Sequence, residues 1–436
     1  MKFKQICEIF QKIEDTSSRN EMGNILSGVY KTLSIEESQI LGYLLLGRVS
    51  PMFVASEFNV SEKNLLKVLN SIYPNHNVEK LRQETGDIGT MMEQIIDREG
   101  SVFTILDVYE GLWKIINETG NGSANRKLNN VSLMLKEMSG IEAKYFLRII
   151  VGNLRLGISI KSIIDSLSLY LSGTKEYSER LERAYGYCTD IGYLIGEILS
   201  NGDRAESIID NISIIPGIPI LPKLVQKVSS FPEGVERMVS DFYIQPKYDG
   251  LRCQIHKYNS HDSSESIGIW NRYFIKREAS ANLSIFENNT EDTIVKLYTR
   301  NLEDITDMFP EIVESVKELD CNNCVLDSEI VGWDGNHKKF MSYQDTMTRR
   351  RKYDVNNTRE GVPVNSFIFD ILYLNNNDVS KYSMKDRIEV LSKLNISDTK
   401  SLQLSPIDIV NNEKELRDNF NIYIKEREGK DKLITS

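Results

Sequence analysis

Lys247-Tyr248-Asp249-Gly250-Leu251-Arg252 places an amine, a carboxylate, a glycine and a guanidinium within one short stretch. Phe242-Tyr243-Ile244 before it is apolar and β-prone, and Cys253-Gln254-Ile255-His256 after it can resume a strand. The motif therefore reads as a bend between two β segments. A lysine held at such a bend can attack phosphorus and keep it as a covalent adduct. The chemistry it points to is nucleotidyl transfer.

Strand candidates continue on both sides of the bend: Phe242 to Gln245, Arg252 to His256, Ile294 to Tyr298, Cys324 to Gly332 and Ser366 to Leu374. They alternate with helix candidates near 309–319, 341–352 and 384–394, so the second half reads as a mixed α+β domain. Residues 259–293 interrupt the pattern with polar, turn-rich runs around a strand-like aromatic stretch, Ile267 to Lys276. They read as an inserted surface loop or extended hairpin.

The first half has a different character. Leu41 to Leu46 forms an apolar helix that ends at Gly47, and Ile141–Ile150 repeats apolar residues three and four apart. Leu181 to Leu199 continues the same amphipathic pattern up to Asn201-Gly202. Pro216-Gly217-Ile218-Pro219-Ile220-Leu221-Pro222 cannot be a helix interior and marks the connection between the halves. The expected organisation is an all-α domain over 1–215 and an α+β domain over 216–436, with an insertion at 259–293.

Composition limits the classes of function. At 436 residues the chain is long enough for about three cores. No apolar run reaches the roughly 18 residues of a membrane span. The N-terminus has no apolar core after its lysines, so it reads as mature protein. Five scattered cysteines fit a reducing cytosol. Cys321 and Cys324 form a C-x-x-C with no second pair, which reads as two ordinary thiols rather than a zinc site. A net charge of −10 rules out a uniformly basic coat, yet phosphate contacts need only a local basic face.

Further segments stand in a fixed order around the lysine: Leu297-Tyr298-Thr299-Arg300-Asn301, Leu326-Asp327-Ser328-Glu329-Ile330-Val331, and Phe367-Ile368-Phe369-Asp370-Ile371-Leu372-Tyr373. Tyr43 to Pro51, Thr85 to Gly89, Glu142 to Tyr145, Leu154 to Ile158, Glu182 to Tyr185 and Gln344 to Asp354 add others. Together they resemble the ATP-dependent DNA ligases of the archaeal and eukaryotic replicative type over nearly the whole chain.

The resemblance implies a helical DNA-binding domain followed by a nucleotidyltransferase (adenylation) domain. It implies nick sealing in duplex DNA through a lysine–AMP intermediate, with ATP and Mg²⁺ or another divalent cation. It makes Lys247 the nucleophile. An ordinary lysine, with a pKa of about 10.4, is mostly protonated at pH 7, a penalty of roughly 4–5 kcal/mol that nearby cations reduce. Arg252 and Arg300 would steady the nucleotide phosphates, and Glu329 would face the ribose and the metal. Phe369 would stack on adenine, and Gln245 would meet its amino group where relatives commonly carry glutamate. Lys144, Arg148 and Arg155 would be duplex contacts, made to the backbone without reading sequence. The implied setting is the prokaryotic cytoplasm, as a monomer on nicked duplex, recruited by a sliding clamp or other replication factor.

The family continues into a Glu-Gly strand, a lysine pair and a C-terminal OB-fold, which the sequence given does not show. Glu428-Gly429 is followed by charged Lys430-Asp431, which do not suit that buried strand. The expectation is a truncated or fragmentary ligase that by itself adenylates slowly or not at all. An RNA ligase or capping guanylyltransferase, which share the lysine chemistry, and a nick-binding protein without catalysis are the alternatives.

Overall fold

The computed structural model describes residues 1–223, 226–238, 242–259, 268–274, 293–334, 339–349 and 362–428. The chain divides into two compact units, Met1–Ile212 with Glu265–Asn288, and Ser213–Ser264 with Asn289–Ser436. Among the described residues no helix is long and apolar enough to cross a membrane.

The first unit is helical. Phe3, Ile6, Cys7, Phe10 and Ile13 form the buried stripe of helix Phe3–Glu14. Helix Gly140–Ile150 is buried along nearly its whole length, and Ser139 and Glu142 close its N-terminus reciprocally. It packs against helix Ile88–Ile95, where a side chain on Gly89 would come within 2.7 Å of the Lys144 carbonyl. Lys144 and Arg148 are therefore turned inward, which corrects the expectation that they contact DNA. Arg148 donates Nε to Asp87 at 2.9 Å and Nη1 to Glu14 at 2.8 Å, and Lys144 pairs with Glu93 at 3.0 Å. The apolar spacing of this helix was readable, but not which side its bases would face. Arg155 keeps a half-exposed side chain.

The single helix expected over Leu181 to Leu199 is two, Ser178–Tyr187 and Ile191–Asn201. Asp190 breaks it by capping the second helix, accepting from the Tyr193 N–H at 3.0 Å. The same buried carboxylate accepts from the Tyr43 hydroxyl at 2.5 Å and the Trp270 indole at 3.0 Å. Trp270 belongs to Gly268–Phe274, the described part of the insertion. That stretch is neither strand-like nor a surface loop. Ile269–Arg272 forms a 3-10 turn with Ile269 and Trp270 buried. Tyr273 and Phe274 meet Tyr109 and Trp113 edge-on at 5.1 and 5.8 Å. Aromatic rings that read as β-prone have instead found an apolar groove. Ile267, Ile275, Lys276 and most of the insertion lie outside the described residues.

The second unit is α+β. Its strands are β1 (Phe242–Ile244), β2 (Leu251–Asn259), β3 (Thr293–Thr299), β4 (Cys324–Asp334), β5 (Lys339–Phe340), β6 (Val364–Leu374), β7 (Asn377–Asp378), β8 (Leu402–Leu404) and β9 (Asp408–Val410). The main sheet runs β3-β2-β4-β6-β7, with β5 on β4 and β8 parallel to β6; β1 and β9 pair separately. Alternate residues put Leu251, Cys253, Ile255, Leu326, Ile330 and Ile368 on one face. Helix Pro310–Lys317 covers that face with Ile312 and Val316.

The proline-rich connector belongs to the second unit and lies on the other face. Gly217 N donates to His256 Nδ1 at 3.0 Å, the Tyr298 hydroxyl donates to Gly217 O at 2.7 Å, and Ile220 exchanges two hydrogen bonds with the Gln254 amide. Helix Tyr343–Met347 stands within the expected 341–352, and the part of that expectation from residue 350 lies outside the described residues. Glu428 ends a helix, Glu413–Glu428, rather than sitting in a strand.

Candidate active site

The pairing register of the sheet assembles the site. Arg252 stands opposite Glu329, and Glu329 opposite Phe367. The β2–β3 register ends at the Cys253–Thr299 pair, and Arg300 follows in the turn. Directly opposed residues project to the same face. Arg252, Glu329 and Phe367 thus form one row, on the face opposite the apolar core.

The Lys247–Arg252 bend sits at the edge of this row. Tyr248 is buried and stacks on Phe367, with ring centroids 4.4 Å apart and planes 23° from parallel. Anchored there, the chain leaves Lys247 and Asp249 exposed on either side. Gly250 passes so close to β4 that a Cβ would collide with the Ile330 carbonyl. That approach lets Gly250 N donate to Glu329 Oε1 at 3.2 Å. Any larger residue would push the bend away from the carboxylate.

Burial pushes the Glu329 carboxyl up to about 7, against the pull of the Gly250 N–H and the positive charges of Lys247 and Arg252. Its charge is only partly compensated, so one more cation is welcome. Arg252 is already committed: its Nε donates to Asp327 Oδ1 at 3.0 Å, and Nη2 completes a fork on Oδ2. Burial still raises the Asp327 carboxyl despite that partner.

Gln245 donates Nε2 to the Phe369 carbonyl at 2.9 Å, bringing those two predicted residues together. Phe369 is half-buried. It is the extra residue of a bulge, because Asp327 pairs with Asp370 while Ser328 pairs with Ile368. Arg300 is exposed in the turn after β3 and makes no ion pair among the described residues. The sequence reading gave no role to Asp327, Asp370 or Arg387. Alternation alone would have flagged Asp327, two residues from Glu329 on the same strand face. Arg387 carried no such signal, since its link to Asp370 spans an intervening strand and turn.

Among the described residues no group of three or more histidine, cysteine or carboxylate side chains could hold a metal ion. Mg²⁺ needs less, since it commonly takes one or two carboxylates and fills its shell with water and phosphate oxygens. Glu329, with its under-compensated carboxylate, fits that demand.

The family described as DNA ligase N terminus matches residues 2–168, and the one described as ATP dependent DNA ligase domain matches residues 286–429. A probable DNA ligase of Dictyoglomus turgidum is 32% identical over 429 residues, covering 98% of this chain and 67% of the relative. DNA ligase 1 of Methanosarcina mazei is 32% identical over 434 residues, covering 98% and 69%. A probable DNA ligase of Persephonella marina is 31% identical, covering 98% and 68%. The chain spans about two thirds of the length of these relatives. With both halves matched in order by the same kind of protein, the chain belongs to the family of ATP-dependent DNA ligases.

Proposed function

We propose that Lys247 is the nucleophile with which this ligase takes AMP from ATP before sealing a nick. The observation that carries the reading is the anchored bend: Tyr248 stacks on Phe367 and Gly250 N donates to the half-buried Glu329, which leaves the adjoining Lys247 exposed. An amine on such a bend can be held near the phosphorus it must attack.

In the first step the neutral Lys247 amine forms an N–P bond to the α-phosphorus, the bond to the bridging oxygen breaks, and pyrophosphate leaves. Glu329 would hold the divalent cation, which when bound neutralises charge on the phosphates. Arg252, fixed in direction by Asp327, and Arg300, exposed in the turn after β3, steady the phosphate oxygens. Phe369 stacks on adenine, and Gln245 offers its side-chain oxygen to the adenine amino group. AMP then passes to the 5′-phosphate of the nick, and attack by the 3′-hydroxyl releases it.

Residues 216–436 carry this chemistry in the reading, and 1–215 grip the duplex. The finer assignments, a monomer in the cytoplasm recruited by a sliding clamp or other replication factor, rest on the resemblance alone. The test is incubation of the chain with α-³²P ATP and Mg²⁺, followed by peptide mass spectrometry. The expected result is AMP on Lys247, absent from Lys247→Ala. An adduct on another residue, or labelling that survives the substitution, overturns the reading.

A further inference from the structure

Glutamine at position 245 raises a question of selectivity. A carboxylate there can only accept a hydrogen bond, but an amide can turn over and present either its oxygen or its NH₂. Adenine offers an amino group at the position where guanine offers a carbonyl oxygen. A freely turning Gln245 would serve both bases.

The structure holds the amide one way round. The Phe369 carbonyl can only accept, so the Gln245 group facing it at 2.9 Å is the NH₂, and the oxygen points elsewhere. That carbonyl belongs to the β6 bulge, whose next residue is clamped from outside the site. Arg387 donates Nε to Asp370 Oδ1 at 2.8 Å and Nη2 to Oδ2 at 3.0 Å. The same carboxylate accepts from its neighbour's backbone, Ile371 N, at 2.9 Å. Arg387 is itself fixed by donating Nη1 to the Tyr382 carbonyl at 2.8 Å. The bulge is thus flanked by the Asp327–Asp370 and Ser328–Ile368 pairs and held from one side by a two-pronged ion pair.

We propose that Arg387 is a positioning residue for base selectivity: through Asp370 it sets the Phe369 carbonyl, which fixes Gln245 as an acceptor and so favours adenine over guanine. The inference rests on the reading that Gln245 and Phe369 hold the base. Arg387 touches no substrate.

The test is Arg387→Met, which keeps a long stem and removes the fork, in the full chain. The rate of Lys247 adenylation against ATP concentration, and ATP and GTP binding by calorimetry in a Lys247→Ala background, are compared with and without it. The half-saturating ATP concentration is expected to rise about tenfold and the ATP-over-GTP binding ratio to fall about tenfold, with the maximal rate within about twofold. Arg387→Lys, which restores one charged donor, should recover part of the ratio. A folded Arg387→Met with unchanged ratio and half-saturation overturns the proposal, as does a loss confined to the maximal rate. If Arg387→Met does not fold, Asp370→Asn is judged by the same two readouts. If the parent chain forms no AMP adduct, the ATP-over-GTP binding ratio, read in the Lys247→Ala background, still decides this proposal.

Discussion

His256 should make the second unit acid-sensitive in a way that one substitution removes. Its ring is fully buried on β2, its Nδ1 accepts from Gly217 N, and its Nε2 has no partner among the described residues. Burial lowers its pKa from 6.5 to about 3. The native state therefore refuses a proton that the unfolded chain accepts below 6.5, so stability is complete above 6.5 and drains away as pH falls towards 3. At about 1.4 kcal/mol per pH step below 6.5, the loss at pH 5 is about 2 kcal/mol. Protonation would also take the lone pair that Gly217 uses, so the connector should loosen from the sheet as the ring charges. His256→Asn keeps an acceptor oxygen near the place of Nδ1 and cannot titrate. Its smaller side chain costs stability equally at every pH, so the difference between wild type and variant isolates the ring. Urea unfolding of both proteins, followed by NMR signals from β2, should show that difference shrinking by about 2 kcal/mol between pH 8 and pH 5. The native His256 ring signal should stay unshifted over the same range. A constant difference, or a ring that titrates between pH 6 and 7, refutes the reasoning.

Glu329 carries the opposite sign. Its raised pKa gives stability that is complete below 4.5 and lost as pH rises through about 7. Glu329→Gln should therefore unfold at higher urea than wild type at pH 8, by about 3 kcal/mol, with no advantage below pH 4.5, while Lys247 labelling falls at least about a hundredfold. Asp327→Ala leaves the Arg252 guanidinium without its fork and should cost about 3 kcal/mol in urea unfolding of the second unit. Asp190→Ala removes the acceptor shared by Tyr43, Trp270 and Tyr193. It should destabilise the first unit by about 3 kcal/mol and shift tryptophan emission to the red as Trp270 meets water. Arg148→Met should cost a similar amount, about 3 kcal/mol, yet leave the salt dependence of duplex binding unchanged, because its charge is spent on Glu14 and Asp87. A shallower salt slope would show that it does contact phosphate.

Much of the fold was legible because it obeys short-range periodicity. The strands around 242, 251, 293, 324 and 364 are announced by apolar and aromatic β-prone runs, the helix near Gly47 by an apolar run ending at a glycine, and the one ending at Ile150 by spacings of three and four. The failures are of two kinds. The break at Asp190 was hidden because a carboxylate inside an amphipathic run looks like a solvent-facing charge. Here it is a cap whose remaining bonds come from Tyr43, far back in the chain, and from Trp270, far ahead. The aromatics of Gly268–Phe274 have strand-like chemistry, but what folded them was a groove in the helical unit. Local pattern carries no record of a distant partner.

The site divides along the same line. Lys247, Arg252 and Glu329 stood out as candidates because reactive residue types in a fixed order are a signal, and Phe369 stood out only by its place in the resemblance. What the sequence could not show is which charges neutralise one another. Lys144 and Arg148 read as basic contacts for DNA, yet Glu14, Asp87 and Glu93 consume them. Arg252 reads as a free phosphate ligand, yet Asp327 already aims it. These are different outcomes of one physical rule, that a charge leaving water needs a partner. In the helical unit the partners are complete, and the residues serve stability. On the sheet, Arg252 is paired with Asp327, while Glu329 beside it accepts from a backbone N–H and has its carboxyl raised by burial, and that difference is what the Glu329→Gln comparison reads.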